Sequence, residues 1–143
     1  MATNLTAFLS QNAIQVENHK VVVSKRFLDE NKKPIEWEVR ALSAGEDEEI
    51  RKSATRKVPV PGRRGQNQPE TDINLYLARM AATCTVFPNL YDADLQDSYN
   101  VKTPEDLLRK MLTAGEYAEY LQTVQNMNGY DVSTEDLVDE AKN

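Results

Sequence analysis

Between Ile35 and Ala41 the chain alternates. Ile35, Trp37, Val39 and Ala41 fall on one parity, with Glu36, Glu38 and Arg40 on the other. A period of two predicts a strand with one face on a core and one in water, and places Trp37, the only tryptophan, on the buried face. Upstream, HKVVVSKRF (His19 to Phe27) is rich in β-branched residues, with Val21, Val23 and Phe27 on one face and Lys25 breaking the alternation. The link LDENKKP is polar, offers Asn31 for a left-handed turn position and ends in Pro34, so the two strands should form a hairpin. Ser43 stands three residues before Glu46, the spacing of a reciprocal cap, and predicts a helix over Glu46 to Thr55. Its acids come first and its bases, Arg51, Lys52, Arg56 and Lys57, come near or after the end, as the helix dipole favours. Only Ile50 and Ala54 supply an apolar face, which predicts a surface helix.

Further on the period changes to that of helices. After a cap at Thr71 or Asp72, the residues Ile73, Tyr76, Leu77, Met80, Cys84 and Phe87 recur at steps of three and four, predicting a central core helix that Pro88 ends. A short turn over Ala93 to Ser98 precedes Thr103, which caps a helix opened by Pro104 and carrying Leu107, Leu108, Met111 and Leu112 for burial. Thr113 and Glu116 repeat the reciprocal-cap spacing, and Tyr117, Tyr120, Leu121, Val124 and Met127 form the last stripe before Gly129. The fold class expected is therefore α+β and predominantly α, an N-terminal β-hairpin packed against a bundle of about four to five helices. Residues 1–130 should make one domain.

Three stretches fall outside that pattern. Leu5, Phe8 and Leu9 make a short helical stripe that either packs on its own domain or awaits a partner, since two turns do not hold themselves in water. Residues 57–70, KVPVPGRRGQNQPE, carry three prolines and two glycines and show neither period, which predicts a long mobile loop presenting Arg63 and Arg64 as a basic finger. Within it Lys57, Val58, Pro59, Val60, Pro61, Arg63 and Arg64 are, with Leu5, Phe8 and Leu9, the candidate partner-binding residues. Residues 131–143 are acidic and weakly periodic, and read as a flexible tail.

Charge sharpens this division. Residues 1–90 hold 13 Lys+Arg against 11 Asp+Glu, whereas residues 91–143 hold 4 against 12. Such a split marks either two different contact surfaces or a solvated helix surface with an acidic end. The acidic total argues against nucleic acid as the main partner, although Lys52, Arg56, Lys57, Arg63 and Arg64 would form a basic cluster. No apolar run approaches the ~20 residues of a membrane span, and MATNLTAFLSQN has neither the basic start nor the apolar run of a targeting segment, so none is expected. One His and one Cys, His19 and Cys84, do not make a metal knuckle or a catalytic set. Cys84 sits on the apolar face of the core helix, where a thiol is ordinarily a small hydrophobe. No catalytic residue, metal or cofactor is expected. The GxxG of Gly62 and Gly65 lacks the flanking helices of a nucleotide-backbone clamp, because prolines surround it.

Taken in order, FLSQNA, VVVSKRFLDENKKPIEWEVRALS, RKVPVPGRRGQ, PETD, NLYLARMAATCTVFPNL, LQDSY and MLTAGEYAEYLQTVQNMNGY resemble the XkdN-like family of phage tail assembly chaperones over nearly the whole chain. One departure lies in DENKKP, where the turn would favour glycine and Lys32 has to take up the left-handed backbone. The resemblance implies a non-enzymatic protein of the host cytoplasm that coats the tape measure protein, keeps it soluble, helps recruit tail-tube subunits and is absent from the finished virion. Self-association is left open. The same composition would suit a structural tail or connector component, and the basic stretch a small nucleic-acid-binding regulator. Tail assembly chaperones of several phages are made in two lengths, the longer by a ribosomal slip, and the ending Ala141, Lys142, Asn143 is compatible either with such a slippery site or with an ordinary terminus.

Overall fold

The computed structural model describes residues 3–130. The acidic residues 131–143 lie outside them, and with them the expected tail. A three-stranded sheet sits against helices, with β1 (His19–Val21), β2 (Trp37–Val39) and β5 (Thr85–Phe87) in the order β1-β2-β5. The expected hairpin is present: β1 pairs antiparallel with β2, Val21 opposite Trp37 and His19 opposite Val39. It is shorter than its apolar pattern, because after Val21 the chain leaves β2 and packs Val23 and Phe27 on the core from an irregular path. Inside that path a second tight turn forms, where Asp29 N–H donates to Lys33 O at 2.8 Å and Asp29 Oδ1 accepts from Asn31 N–H. Lys32, not Asn31, takes the left-handed position, at φ 64°.

Trp37 is 1% exposed and sits between two rings, 5.3 Å edge-on from Tyr120 and 6.5 Å from Phe27. Around it close α3 (Ile73–Cys84), α5 (Pro104–Met111) and α6 (Ala114–Met127), burying Met80, Leu107, Leu108, Tyr120 and Val124. The caps are those the sequence spells. Asp72 accepts from Leu75 N–H, Thr103 from Asp106 N–H, and Thr113 with Glu116 forms a full capping box. Past α6 the chain turns at Gly129, φ 86°, where a Cβ would be strained. The surface helix α2 (Ala44–Ser53), entered through the Ser43 and Glu46 box, buries none of its own residues completely. Arg79 fastens it to the bundle, donating to Ser53 O at 2.8 Å and facing Glu105 at 3.5 Å. The stretch Ala93–Ser98 is a short helix, α4, and the four residues Thr3–Thr6 form α1.

Two expectations are corrected. The core helix does not reach Phe87: it ends at Cys84, and Thr85–Phe87 becomes strand β5 beside β2, with Phe87 about half exposed. Thr85, Val86 and Phe87 are β-branched or aromatic and precede Pro88, which biases the residue before it to extended backbone. Ile73, at the other end, is also exposed, while Ala78, Ala81 and Ala82 are fully buried and bring the sheet and neighbouring helices close to α3. The second correction concerns residues 57–70. They are not a loop but an antiparallel ribbon of β3 (Thr55–Pro59) and β4 (Asn67–Thr71). Val60 N–H donates to Gln66 O and Asp72 N–H to Ala54 O, so the hydrogen-bonded pairs have even numbers. Pro59 and Pro69 therefore occupy the alternate pairs, where the ladder needs no N–H.

Truncating the ring at the centre should be costly. Trp37→Ala is expected to destabilise by roughly 3–5 kcal/mol, a large share of a small domain's stability, read as loss of cooperative thermal unfolding.

Acid should weaken the same assembly from two points. Arg40 beside Glu46, helped by the Ser43 N–H, holds that carboxylate down to about 2, and Arg26 beside Glu116 holds the second at about 2 as well. Because both folded values lie below the ordinary 4.5, their contribution is present above that pH and is lost as pH falls towards about 2. The melting temperature should therefore drop across that window, and Arg26→Ala with Arg40→Ala should flatten the drop.

Candidate functional site

The described core leaves two elements projecting from it. The first is the N-terminal arm, residues 3–18. Leu5 is 73% exposed, Phe8 79% and Ile14 98%, with Leu9 and Val16 also in water. The predicted stripe therefore does not pack on its own domain. Short local bonds hold the helical part, from Phe8 N–H to Leu5 O and from Ala13 N–H to Leu9 O. Ile14 and Val16 then alternate with Gln15 and Glu17 in an irregular run that leads into β1. Sequence reading missed these two, although their period of two was visible. Among the described residues, Asn18 donating to Glu38 Oε2 at 3.0 Å is the bond that ties the end of the arm to the sheet.

The ribbon β3–β4 is the second element. At its base Thr55 and Thr71 share a hydroxyl bond of 2.7 Å, and Thr55 Oγ1 also donates to Arg51 O at the end of α2. Beyond the base every residue from 61 to 70 is exposed. Gly62 and Gly65 take φ of 75° and 77° to turn the tip, with Arg63 and Arg64 between them. Arg56 stands opposite Glu70, the one acid of the ribbon, which leaves Lys57, Arg63 and Arg64 as surplus positive charge. A two-stranded ribbon held only at its base is marginal in water and keeps both edges unpaired. The sequence-predicted residues thus form two groups, Leu5, Phe8 and Leu9 on the arm, and Lys57, Val58, Pro59, Val60, Pro61, Arg63 and Arg64 on the ribbon.

The polar clusters near the core are structural. Tyr76 donates its hydroxyl to Asp47 in a short bond, Arg51 stacks 4.6 Å from its ring, and Tyr130 reaches the other Asp47 oxygen at 3.3 Å. Burial first, and then Asp47, pushes the Tyr76 phenol well above its usual range, so it stays a donor and latches α2 to α3 and to the end of α6. Burial likewise raises the Cys84 thiol, which receives Asn128 Nδ2–H at 3.5 Å. His19 lies exposed on β1. Among the described residues no three His, Cys, Asp or Glu side chains gather as a metal site, and no helix is long and apolar enough to cross a membrane.

Residues 5–142 match the model of a family described as phage XkdN-like tail assembly chaperone protein. Two Bacillus subtilis (strain 168) proteins are similar along almost the whole chain. One, named "Uncharacterized protein YqbN", is 31% identical over 98% of this chain and 93% of its own. The other, "Phage-like element PBSX protein XkdN", is 30% identical over 98% and 94%. The crystal structure of the protein YqbN superposes with a TM-score of 0.74 at 25% identity, covering 88% of this chain and 96% of that one.

Proposed function

The chain belongs to the phage XkdN-like tail assembly chaperone family, and on that premise we propose that it binds the tape measure protein through its arm and ribbon, keeping it soluble while tail-tube subunits are recruited. The observation that carries this reading is the placement of apolar and basic side chains on two elements that the fold does not need for its own core. A chaperone for a long helical protein needs adaptable apolar contact without a rigid pocket. Leu5, Phe8, Leu9, Ile14 and Val16 supply it from a segment with little tertiary packing, which can order on its partner. Arg63 and Arg64 supply charge at an exposed ribbon tip. The protein acts in the host cytoplasm and leaves before the particle is finished.

Co-expression with the tape measure protein of the same phage tests this. The tape measure protein should become soluble and co-purify. Leu5, Phe8 and Leu9 changed together to Ser, or Arg63 and Arg64 to Ala, should reduce capture while the melting temperature stays nearly constant, since exposed substitutions usually cost within about 0.5 kcal/mol. An insoluble partner would refute the reading. Stoichiometric recovery of the chain from purified particles would instead make it a structural tail component.

A further inference from the structure

The arginines of the chain fall into two settings. Arg26, Arg40, Arg51, Arg79 and Arg109, on the body of the fold, each face a carboxylate oxygen at 2.6 to 3.7 Å. Among the described residues the remaining three, Arg56, Arg63 and Arg64, make no ion pair, and neither does Lys57 beside them. All three lie on the β3–β4 ribbon, where Glu70 is the one acid against four exposed bases. The complement to that surplus stands in residues 131–143, where Asp131, Glu135, Asp136, Asp139 and Glu140 face a single base, Lys142. The described chain leads into them from Tyr130, whose hydroxyl lies 3.3 Å from Asp47 Oδ2 on α2. From that point α2 passes through Arg51 and Lys52 and on into β3. At about 1.5 Å per helical and 3.3 Å per extended residue, the path from Asp47 is at most about 20 Å to Lys57 and about 40 Å to Arg63. Residues 131–143 span up to about 45 Å when extended, so they reach the ribbon whatever its angle to α2.

We propose that residues 131–143 lie back on the ribbon of their own chain, carboxylates against Lys57, Arg63 and Arg64, so that an incoming partner has to displace them. Charge selects this occupant. The acids Glu46, Asp47 and Glu48 at the near end of α2 repel the segment where it leaves Tyr130, and the bases at the far end of α2 and on the ribbon attract it. An exposed ion pair is weak by itself, but a segment of the same chain meets the ribbon at a roughly millimolar effective concentration. The contact therefore forms in the free protein and yields to a partner that adds apolar area to charge. Its consequence is selectivity: anions with nothing else to offer compete with the chain's own carboxylates for the arginines. That consequence rests on the ribbon being a partner surface, whereas the contact itself is a property of the chain alone.

The test is NMR of the full chain carrying a nitroxide on Ala141→Cys, with Cys84, which is fully buried, left in place. At low salt the label should broaden the amides of residues 56–64. The broadening should vanish in 1 M NaCl, where the screening length falls to about 3 Å. It should vanish too when Glu135, Asp136, Asp139 and Glu140 are changed together to Gln or Asn, and when Arg63 and Arg64 are changed to Ala. Titration with an octaglutamate peptide gives the second readout: neutralising the four acids should tighten its binding about fivefold or more at low salt, and Arg63→Ala with Arg64→Ala should remove that gain. Broadening that persists in high salt or after neutralisation, broadening confined to residues 20–33, or an octaglutamate affinity indifferent to the four acids would overturn the proposal. So would broadening seen only when labelled chains are mixed with unlabelled ones, which would assign the segment to a second copy. No step uses the tape measure protein, so failure here leaves the tape measure reading standing, and failed co-expression leaves this contact standing.

Discussion

The fold depends on the contact of Trp37 with Tyr120. Trp37 lies on the middle strand of the sheet, Tyr120 in the last described helix, and their rings meet edge to face at 5.3 Å. The Tyr120 hydroxyl shares a bond of 2.6 Å with Thr85 Oγ1, which also donates to Ala81 O at the end of α3. One pair of rings thus joins β2, β5, α3 and α6. Burial pushes the Tyr120 phenol above its usual range, so the shared bond needs a neutral hydroxyl with a partner, and Thr85 meets that need in an otherwise apolar centre.

Around this centre, charge is used economically at helix starts. Glu46 closes the box at the start of α2 and also receives Arg40 from the end of β2 at 2.8 Å. Glu116 does the same at the start of α6 and receives Arg26, whose guanidinium also donates to Met111 O at 2.7 Å. Each carboxylate caps its own helix and holds a segment from the sheet region against it. Exposed ion pairs are ordinarily worth little, but here each is combined with a cap that orders a helix start. The core is therefore closed by residues between 19 and 54 and between 72 and 130, and the arm and the ribbon are left to other uses.

Much of this was legible in the sequence. Ser43 with Glu46, Thr103 with Pro104 and Thr113 with Glu116 marked three helix starts, because capping is a local interaction with fixed spacing. Trp37 and Val39 were legible from alternation. What escaped was set by register. Pro59 and Pro69 look like strand breakers until the pairing puts both where no N–H is wanted, a fact that no single strand contains. Phe87 continued the helical period of α3, but the β-branched pair before it and Pro88 after it favoured a place beside β2. The candidate surfaces were legible in part: Leu5, Phe8, Leu9, Arg63 and Arg64 stand exposed on projecting elements, while Ile14 and Val16 were not anticipated. The tail assembly role came from resemblance and from the family match, not from any chemistry that the residues spell alone.

The account assigns stability to one set of residues and partner contact to another. Hydrogen–deuterium exchange of the chain, free and in complex with the tape measure protein, compares the two directly. Protection should rise on binding in residues 3–18 and 55–71, with Trp37, Met80, Leu107 and Val124 equally slow in both states. Protection that appeared only over α4 and α5, with the arm and ribbon unchanged, would contradict it.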